Sequence, residues 1–363
     1  MRYLGHNTPP HDEPARAGIL LVNVGTPDAP TPSALRRYLA EFLWDPRVVE
    51  MPRWLWWPML HGVILRIRPR RSAKSYQKIW TPEGSPLLVH SKKLASAMQQ
   101  SLDPSGDRAV VELAMRYGSP SVSDALDRLH ERNVQRLLVL PLYPQYSATT
   151  TASVFDAVSD ALRKRRWVPE LRVINSYHDF DPWIAAQAAH ISEYRRSDSQ
   201  FLVFSFHGIP RRYLDAGDPY FCQCHKSARL VAKQLGLTGG QWQVAFQSRF
   251  GREEWLRPYL DHTLTGLPDH DIRRIDVVTP GFAVDCLETL EEVDTENRER
   301  FLAAGGERFN YIPALNAVPG HVAALAALVR QHTSGWPEMA RGVAPRDTAT
   351  RRALVRAVRE ALD

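Results

Sequence analysis

Eight runs rich in branched and aromatic residues recur along the chain, each ended by glycine, proline or a polar cluster. They cover 18–25, 109–118, 134–143, 171–178, 200–207, 243–250, 272–279 and 308–315, and they read as β-strands. Between them apolar residues repeat at helical spacing, for example over 121–132, 183–195 and 226–235. Strand alternating with helix predicts parallel sheets covered on both faces. Four runs fall in each half, which predicts an α/β protein of two doubly wound domains. The boundary is expected near residue 160, giving domains over 17–160 and 161–316. Beyond Ser334 the chain turns irregular, with Gly335, Pro337, Gly342 and Pro345. It closes with Leu354, Val355, Val358, Ala361 and Leu362 at helical spacing, so 334–363 reads as a tail ending in a short amphipathic helix. No function attaches to that tail.

The run Phe201-Leu-Val-Phe-Ser-Phe206 is almost wholly apolar, as a central strand buried on both faces must be. His207 follows at once, and Gly208-Ile209-Pro210 stops the strand. An imidazole thus sits at the carboxyl end of a parallel strand, where open α/β sheets place their ligand sites. It titrates near neutrality and ligates metals when neutral. A histidine satisfied by a neighbouring loop is the competing reading.

After the run 272–279, Pro280-Gly281-Phe282 turns the chain, and Asp285 to Glu292 reads as a helix. At about 100° per residue, Asp285, Glu288 and Glu292 fall within roughly 60° of one another. Glu288 and Glu292 are like charges at i and i+4, a repulsion that a cation or a proton would relieve. Asp285-x-x-Glu288 also fits a capping box, although capping leaves Glu292 unexplained.

Composition narrows the partners. Hydrophobic residues make up 44% of the 363, and the formal charge is +6 with a pI near 9.3. That balance suits an anionic small molecule or an acidic membrane surface. No zinc-finger, RNP or helix-turn-helix signature is present in the sequence, so no nucleic-acid partner is expected. The turn Asn23-Val24-Gly25-Thr26-Pro27 lacks the later glycines of a dinucleotide fingerprint, which disfavours a nicotinamide or flavin enzyme. Residues 1–17 carry no apolar core of a signal peptide, and no window of ~18 apolar residues predicts a membrane span. Three cysteines, Cys222, Cys224 and Cys286, form no disulfide framework and point to a reducing, cytoplasmic setting. An iron–sulfur cluster normally takes four thiolates, so none is expected.

Two further groups stand out. Tyr76, Ser85, Arg116, Tyr117, Tyr143 and Tyr146 lie at strand ends or in the loops after them, and suit a flat anionic ligand as well as a plain packed rim. Thr149-Thr150-Thr151 opens a helix and is most simply a cap. Arg53-Trp54-Leu55-Trp56-Trp57 leads into Ile64, Leu65 and Ile67 interleaved with Arg66 and Arg68. Trp beside Arg favours a membrane interface or a lid over an apolar pocket, with a core segment as the alternative.

From about Gly18 to His332 the chain resembles ferrochelatases. The resemblance runs through Leu21-Val-Asn-Val-Gly25-Thr-Pro27, Met115-Arg-Tyr117, Leu142-Tyr-Pro-Gln-Tyr146-Ser, Ser205-Phe-His207-Gly-Ile-Pro210, Gln247-Ser248 and Pro280-Gly-Phe-Ala-Val-Asp-Cys-Leu-Glu288-Thr-Leu. It implies a chelatase-like fold of two Rossmann-like domains, each a four-stranded parallel sheet flanked by helices, with a porphyrin cleft between them. It also implies a lip over 44–70 and a last helix near 318–332 packed back on the first domain. The activity it implies is insertion of Fe2+ into protoporphyrin IX with release of two protons, the last step of haem synthesis. Position by position, His207 and Glu288 match the iron-contacting pair, while Asp285 and Glu292 match an acidic ladder. Tyr76, Ser85, Arg116, Tyr117, Gln247 and Ser248 match pocket-lining positions. Animal enzymes carry His where this chain has Cys286, which puts a second imidazole in the metal or proton route in doubt. Val24 stands where coproporphyrin-using relatives resemble one another in having Tyr, which favours protoporphyrin IX.

The mechanism expected on that basis has His207 accepting a pyrrole proton, and Glu288, backed by Asp285 and Glu292, moving protons or the cation. Fe2+ is a substrate, and no resident cofactor is expected. The lip over 53–67 suggests peripheral contact with the inner membrane from the cytoplasm. A cobalt chelatase, a porphyrin carrier without turnover and a metal-dependent hydrolase stand as rivals.

Overall fold

The computed structural model describes residues 3, 13–249, 251, 253–340 and 348–361. The opening residues read as lacking a signal peptide, together with Phe250 and Leu362, lie largely or wholly outside them. The first apolar run forms β1 (Arg16–Thr26), buried from Ala17 to Asn23. It pairs in parallel with β2 (Ala109–Gly118) on one edge and β3 (Val134–Pro141) on the other. The second sheet is built alike around β5 (Phe201–His207), with β6 (Trp242–Gln247) on one side and β7 (Arg274–Val278) then β8 (Arg308–Ile312) on the other. Phe201 to Phe206 are all buried, because a central parallel strand has no wet face.

One boundary differs from expectation. The fourth strand, β4 (Glu170–Val173), completes the first sheet in the order β2-β1-β3-β4. The first domain therefore extends past Val173 and not to about 160. Only four residues pair, Arg136–Val139 against Glu170–Val173, before Tyr177 N–H turns to the Pro144 carbonyl at 2.9 Å. A strand that short carries little pattern of its own, so only its partner fixes where it belongs.

In each sheet the chain leaves the central strand first to one side, then to the other. Strand order reverses between β1 and β3, and again between β5 and β7. A crevice opens at the carboxyl ends of such a pair. In the second sheet those ends carry His207 and the segment from Thr279 to Glu288.

The helix Pro319–His332 joins the two units. It packs on the helix Pro86–Leu102 of the first domain and on the helix Asp181–Tyr194. Leu325, Leu328 and Val329 share one core with Leu94, Met98, Trp183 and Phe204. Part of the expected tail also belongs to the body. Trp336 is buried, its Nε1–H donates to Glu170 Oε1 at 2.8 Å, and the Arg172 guanidinium lies 4.9 Å over its ring. The amphipathic helix follows at Thr348–Glu360, with Leu354 and Val358 exposed.

The Trp-rich segment forms the helix Arg53–Met59, a π-turn Leu60–Ile64 and the helix Leu65–Ile79. Its tryptophans divide. Trp56 is buried and its Nε1–H donates to the Leu43 carbonyl at 2.7 Å, whereas Trp54 and Trp57 are 76% and 57% exposed. Ile67 is 67% exposed, with exposed Arg66 and Arg70 nearby. Among the described residues no helix is long and apolar enough to cross a membrane.

Leu325 is fully buried where the two domains share a core. Leu325→Ala is expected to lower stability by about 2–5 kcal/mol, read from the midpoint of a urea unfolding curve.

Candidate active site

His207 closes β5 in register with Gln247 of β6, and Gly208 N–H extends the ladder to the Gln247 carbonyl at 2.8 Å. Only glycine fits after the histidine, since a Cβ at Gly208 would lie 2.9 Å from that carbonyl oxygen and 3.2 Å from the Trp255 ring. The His207 Nδ1 lies 2.6 Å from the Gly208 carbonyl oxygen. A carbonyl only accepts, so Nδ1 carries the proton and Nε2 keeps its lone pair. That tautomer leaves Nε2 able to take a proton or a metal.

The acidic helix is not the α-helix expected from the spacing. A single helical residue, Leu287, precedes a π-helix over Glu288–Asn297. Its i→i+5 bonds widen the helix and bring residues four apart close to one line, so Glu288 and Glu292 stay on one face. Asp285 does not join them. It lies in the loop before the helix, 4% exposed, and its Oδ1 accepts from Tyr311 OH at 2.6 Å, Thr289 Oγ1 at 3.0 Å and Ala314 N–H at 3.2 Å. Its Oδ2 accepts from Asn316 Nδ2 at 2.7 Å. Three donors on Oδ1 and one on Oδ2 fix this buried carboxylate in the framework. Asp285 leaves the expected column and becomes an anchor.

Glu292 is held differently. Ser248 N–H donates to its Oε1 at 2.7 Å, and Ser248 Oγ–H donates to its Oε2. Ser248 adopts a left-handed φ of 66°, a conformation that costs a non-glycine residue energy. The strain is tolerated where it aims both donors at one carboxylate. Burial, and then the Glu288 charge, push the Glu292 carboxyl above the usual range, while Ser248 and the nearby His207 oppose them. A group so poised takes up a proton at higher pH than an ordinary glutamate.

Glu288 is half-buried, and its backbone carbonyl accepts from Gln247 Nε2 at 3.1 Å. The Gln247 Oε1 accepts from Ser205 Oγ at 2.6 Å, so both ends of this buried amide are engaged within the protein. Gln247 thus links β5, β6 and the π-helix. Ser248 likewise serves as the clamp on Glu292. The Cys286 thiol is buried and hydrogen-bonded to the Glu288 side chain, and burial followed by the Glu288 charge pushes its pKa up. Burial thus favours its neutral thiol form.

The first domain faces this acid with phenols and a guanidinium. Tyr76 is buried and hydrogen-bonded to Thr26, and burial, then Glu288, raise its pKa well above the ordinary phenol value. Ser85 is buried too and accepts from Thr26 Oγ1 at 2.7 Å. Val24 is half-buried at the end of β1. Tyr38, missed in the sequence, and Arg68, read there only as part of the lip, join them. Burial raises the Tyr38 phenol, with Tyr76 and Glu288 adding to the effect. Burial lowers the Arg68 pKa, while Tyr38 and Glu288 favour its charge. Lys78 Nζ meets Glu291 Oε1 at 2.8 Å and ties the first domain directly to the π-helix.

Arg116 and Tyr117 form a network of their own, with Tyr117 near Tyr38. The Arg116 guanidinium bonds Asp45 Oδ2 at 2.5 Å and Ser153 Oγ at 2.7 Å, and lies 4.5 Å over the Tyr117 ring. Tyr117 OH donates to the same Asp45 oxygen at 2.8 Å. Burial alone would raise the Asp45 carboxyl, but bonds from Ser153, the Arg47 backbone and Tyr117, with the Arg116 charge, hold it below the usual range. The charge expected to meet an anionic ligand is therefore largely neutralised inside the protein. No local signal marks Asp45 as the partner, because it is 71 residues away from Arg116.

Removing the Ser248 hydroxyl takes one donor from the charged form of Glu292. In Ser248→Ala the Glu292 carboxyl is expected to titrate at higher pH than in the parent protein, measured by carbon NMR of labelled glutamate.

A profile of the Ferrochelatase family matches residues 16–333. The protein from Marinobacter nauticus described as ferrochelatase is 55% identical over 339 residues, spanning 93% of this chain and 92% of its own. The one from Nitrosococcus oceani is 56% identical over 343 residues, with 93% and 92% covered. Among solved structures, SirB from Bacillus subtilis with Fe3+ aligns at TM-score 0.53 and 11% identity, over 88% of this chain and 96% of that chain. At that identity the likeness speaks to the fold alone.

Proposed function

This chain belongs to the ferrochelatase family, and from that premise we propose that it inserts Fe2+ into protoporphyrin IX, with His207 and Glu288 as the residues that meet the metal and the ring. Enzymes of this family put a metal ion into a porphyrin, a step of haem synthesis, and the carrier and hydrolase readings fall away with that membership. The choice of protoporphyrin IX over coproporphyrin rests on the small, apolar Val24 at the end of β1.

The free base carries two pyrrole N–H protons, and the incoming Fe2+ replaces both, so two protons leave for each metal that enters. A flat ring hides its nitrogen lone pairs in the plane, and a site complementary to a bent ring would accelerate metallation by binding that form best. In this reading His207 Nε2 takes a pyrrole proton and, once neutral again, can ligate iron. Glu288 meets the ring or the metal, and Glu292 receives protons on the same helix face. One observation carries the reading: the Gly208 carbonyl holds the His207 proton on Nδ1, leaving Nε2 basic beside a glutamate whose proton affinity is raised. No resident cofactor enters it, and no iron–sulfur cluster, since the chain carries three cysteines where a cluster normally takes four thiolates.

The exposed Trp54, Trp57 and Ile67, with Arg66 and Arg70 beside them, form the membrane-facing part of the lip. Indole rings next to guanidinium groups suit the headgroup layer of an anionic bilayer. The chain in this reading is cytoplasmic and touches the inner membrane from that side.

His207→Ala and Glu288→Gln are each expected to lower the rate of Fe2+ insertion about 10²–10⁴-fold with porphyrin binding retained, followed anaerobically by the shift of the Soret band. Near-parent rates in both would remove these residues from the chemistry. Replacing Trp54 and Trp57 together by Ser is expected to weaken binding to anionic vesicles about tenfold or more, measured by co-sedimentation.

A further inference from the structure

We propose that His321 and Asn316 are positioning residues, which fix the start of the π-helix, and with it Glu288, to the helix that joins the two domains. The inference deepens the reading of Glu288 given above and rests on it.

Asn316 adopts a left-handed φ of 49°, and all of its polar groups hold neighbouring segments. Its N–H donates to the Ala283 carbonyl at 3.0 Å, its Oδ1 accepts from Asp285 N–H at 2.9 Å, and its Nδ2 donates to Asp285 Oδ2 at 2.7 Å. One residue thus grips the chain at 283 and 285, just before Cys286 and Glu288. The remaining acceptor sites of Asp285 take Tyr311 OH on β8, Ala314 N–H and Thr289 Oγ1. Thr289 in turn accepts from Cys286 N–H at 3.0 Å, so the clamp reaches the first turn of the π-helix.

What holds Asn316 comes from elsewhere. His321, on the helix Pro319–His332, is fully buried and its Nδ1 lies 2.7 Å from the Asn316 carbonyl oxygen. That oxygen only accepts, so Nδ1 carries the proton. Burial above all lowers the His321 pKa to about 4, so the ring is neutral near neutral pH. From the helix Asp181–Tyr194, His190 Nε2 meets the Pro313 carbonyl at 3.0 Å. Two buried imidazoles on two helices therefore bracket the segment 313–316, which holds Asp285. Both helices pack against each other, and Pro319–His332 also packs on the first domain.

Burying an imidazole costs free energy, and among the described residues the His321 Nε2 has no hydrogen-bond partner. Leucine would fill the position at lower cost if packing were the whole purpose. The bond to Asn316 is what an imidazole supplies and leucine does not. Small displacements of a reacting group lower rates steeply, so a donor two residues removed from the acid can act on turnover without touching substrate.

The test compares His321→Leu, which keeps bulk and removes the donor, with His321→Asn, whose amide N–H can replace Nδ1–H. His321→Leu is expected to lower kcat for Fe2+ insertion about tenfold, with porphyrin KM within twofold and an unfolding midpoint equal to or above the parent. His321→Asn is expected to recover most of that kcat. Unchanged kcat in a folded His321→Leu overturns the proposal. So does a loss of kcat that follows a fall in stability and is not rescued by His321→Asn, since that pattern marks a role in packing alone. Glu288→Gln, run in parallel, separates the two failures. If it keeps the parent kcat, the role given to Glu288 falls; if it is inactive while His321→Leu is not, only the positioning role falls.

Discussion

Taking a carboxylate out of water is costly unless donors replace the water, and the second domain is organised around two acids that meet this constraint in opposite ways. Asp285 is held by four donors and behaves as a fixed part of the framework. Glu292 receives two donors from one strained residue, lies near the charge of Glu288, and keeps a raised proton affinity. The first arrangement gives rigidity, and the second leaves a carboxyl that takes up a proton more readily than an ordinary glutamate. Interchanging them would leave a site with neither.

The sheet explains why Glu292 stands near His207. Parallel strands send their carboxyl ends to one side, and the reversal of order between β5 and β7 leaves room there for a ligand. Gln247 then fixes the spacing from within, through Ser205 on β5 and the Glu288 carbonyl on the π-helix. From across the cleft come Tyr38, Tyr76 and Arg68, and Lys78 locks the π-helix to the first domain through Glu291. The site is therefore a property of the domain pair. Leu325 lies in the core that the two domains share, and His321 bonds to the segment that holds Asp285.

Charge in the first domain is handled with similar economy. Arg116 neutralises Asp45, and Tyr117 and Ser153 complete the network, so the cleft wall behind the phenols is polar yet nearly uncharged. Arg68 stands near Glu288 instead, and it arises from the same basic segment that carries the exposed tryptophans. One stretch of chain thus provides both an outer apolar surface and a cation within the site.

The amino-acid pattern alone determined the alternation of strands and helices, the buried character of β5 and the place of His207 at its end. These are local consequences of burial, which writes itself into the period of apolar residues. Which sheet claimed β4, which tryptophan turned inward, and which partner Arg116 took were decided only by tertiary contacts between residues far apart in the chain. The acidic column shows the division most clearly. Spacing brought Glu288 and Glu292 to one face in either helix type, but Asp285 left it because Asn316, Tyr311 and the backbone of Ala314 offered its oxygens more donors than a helix terminus could.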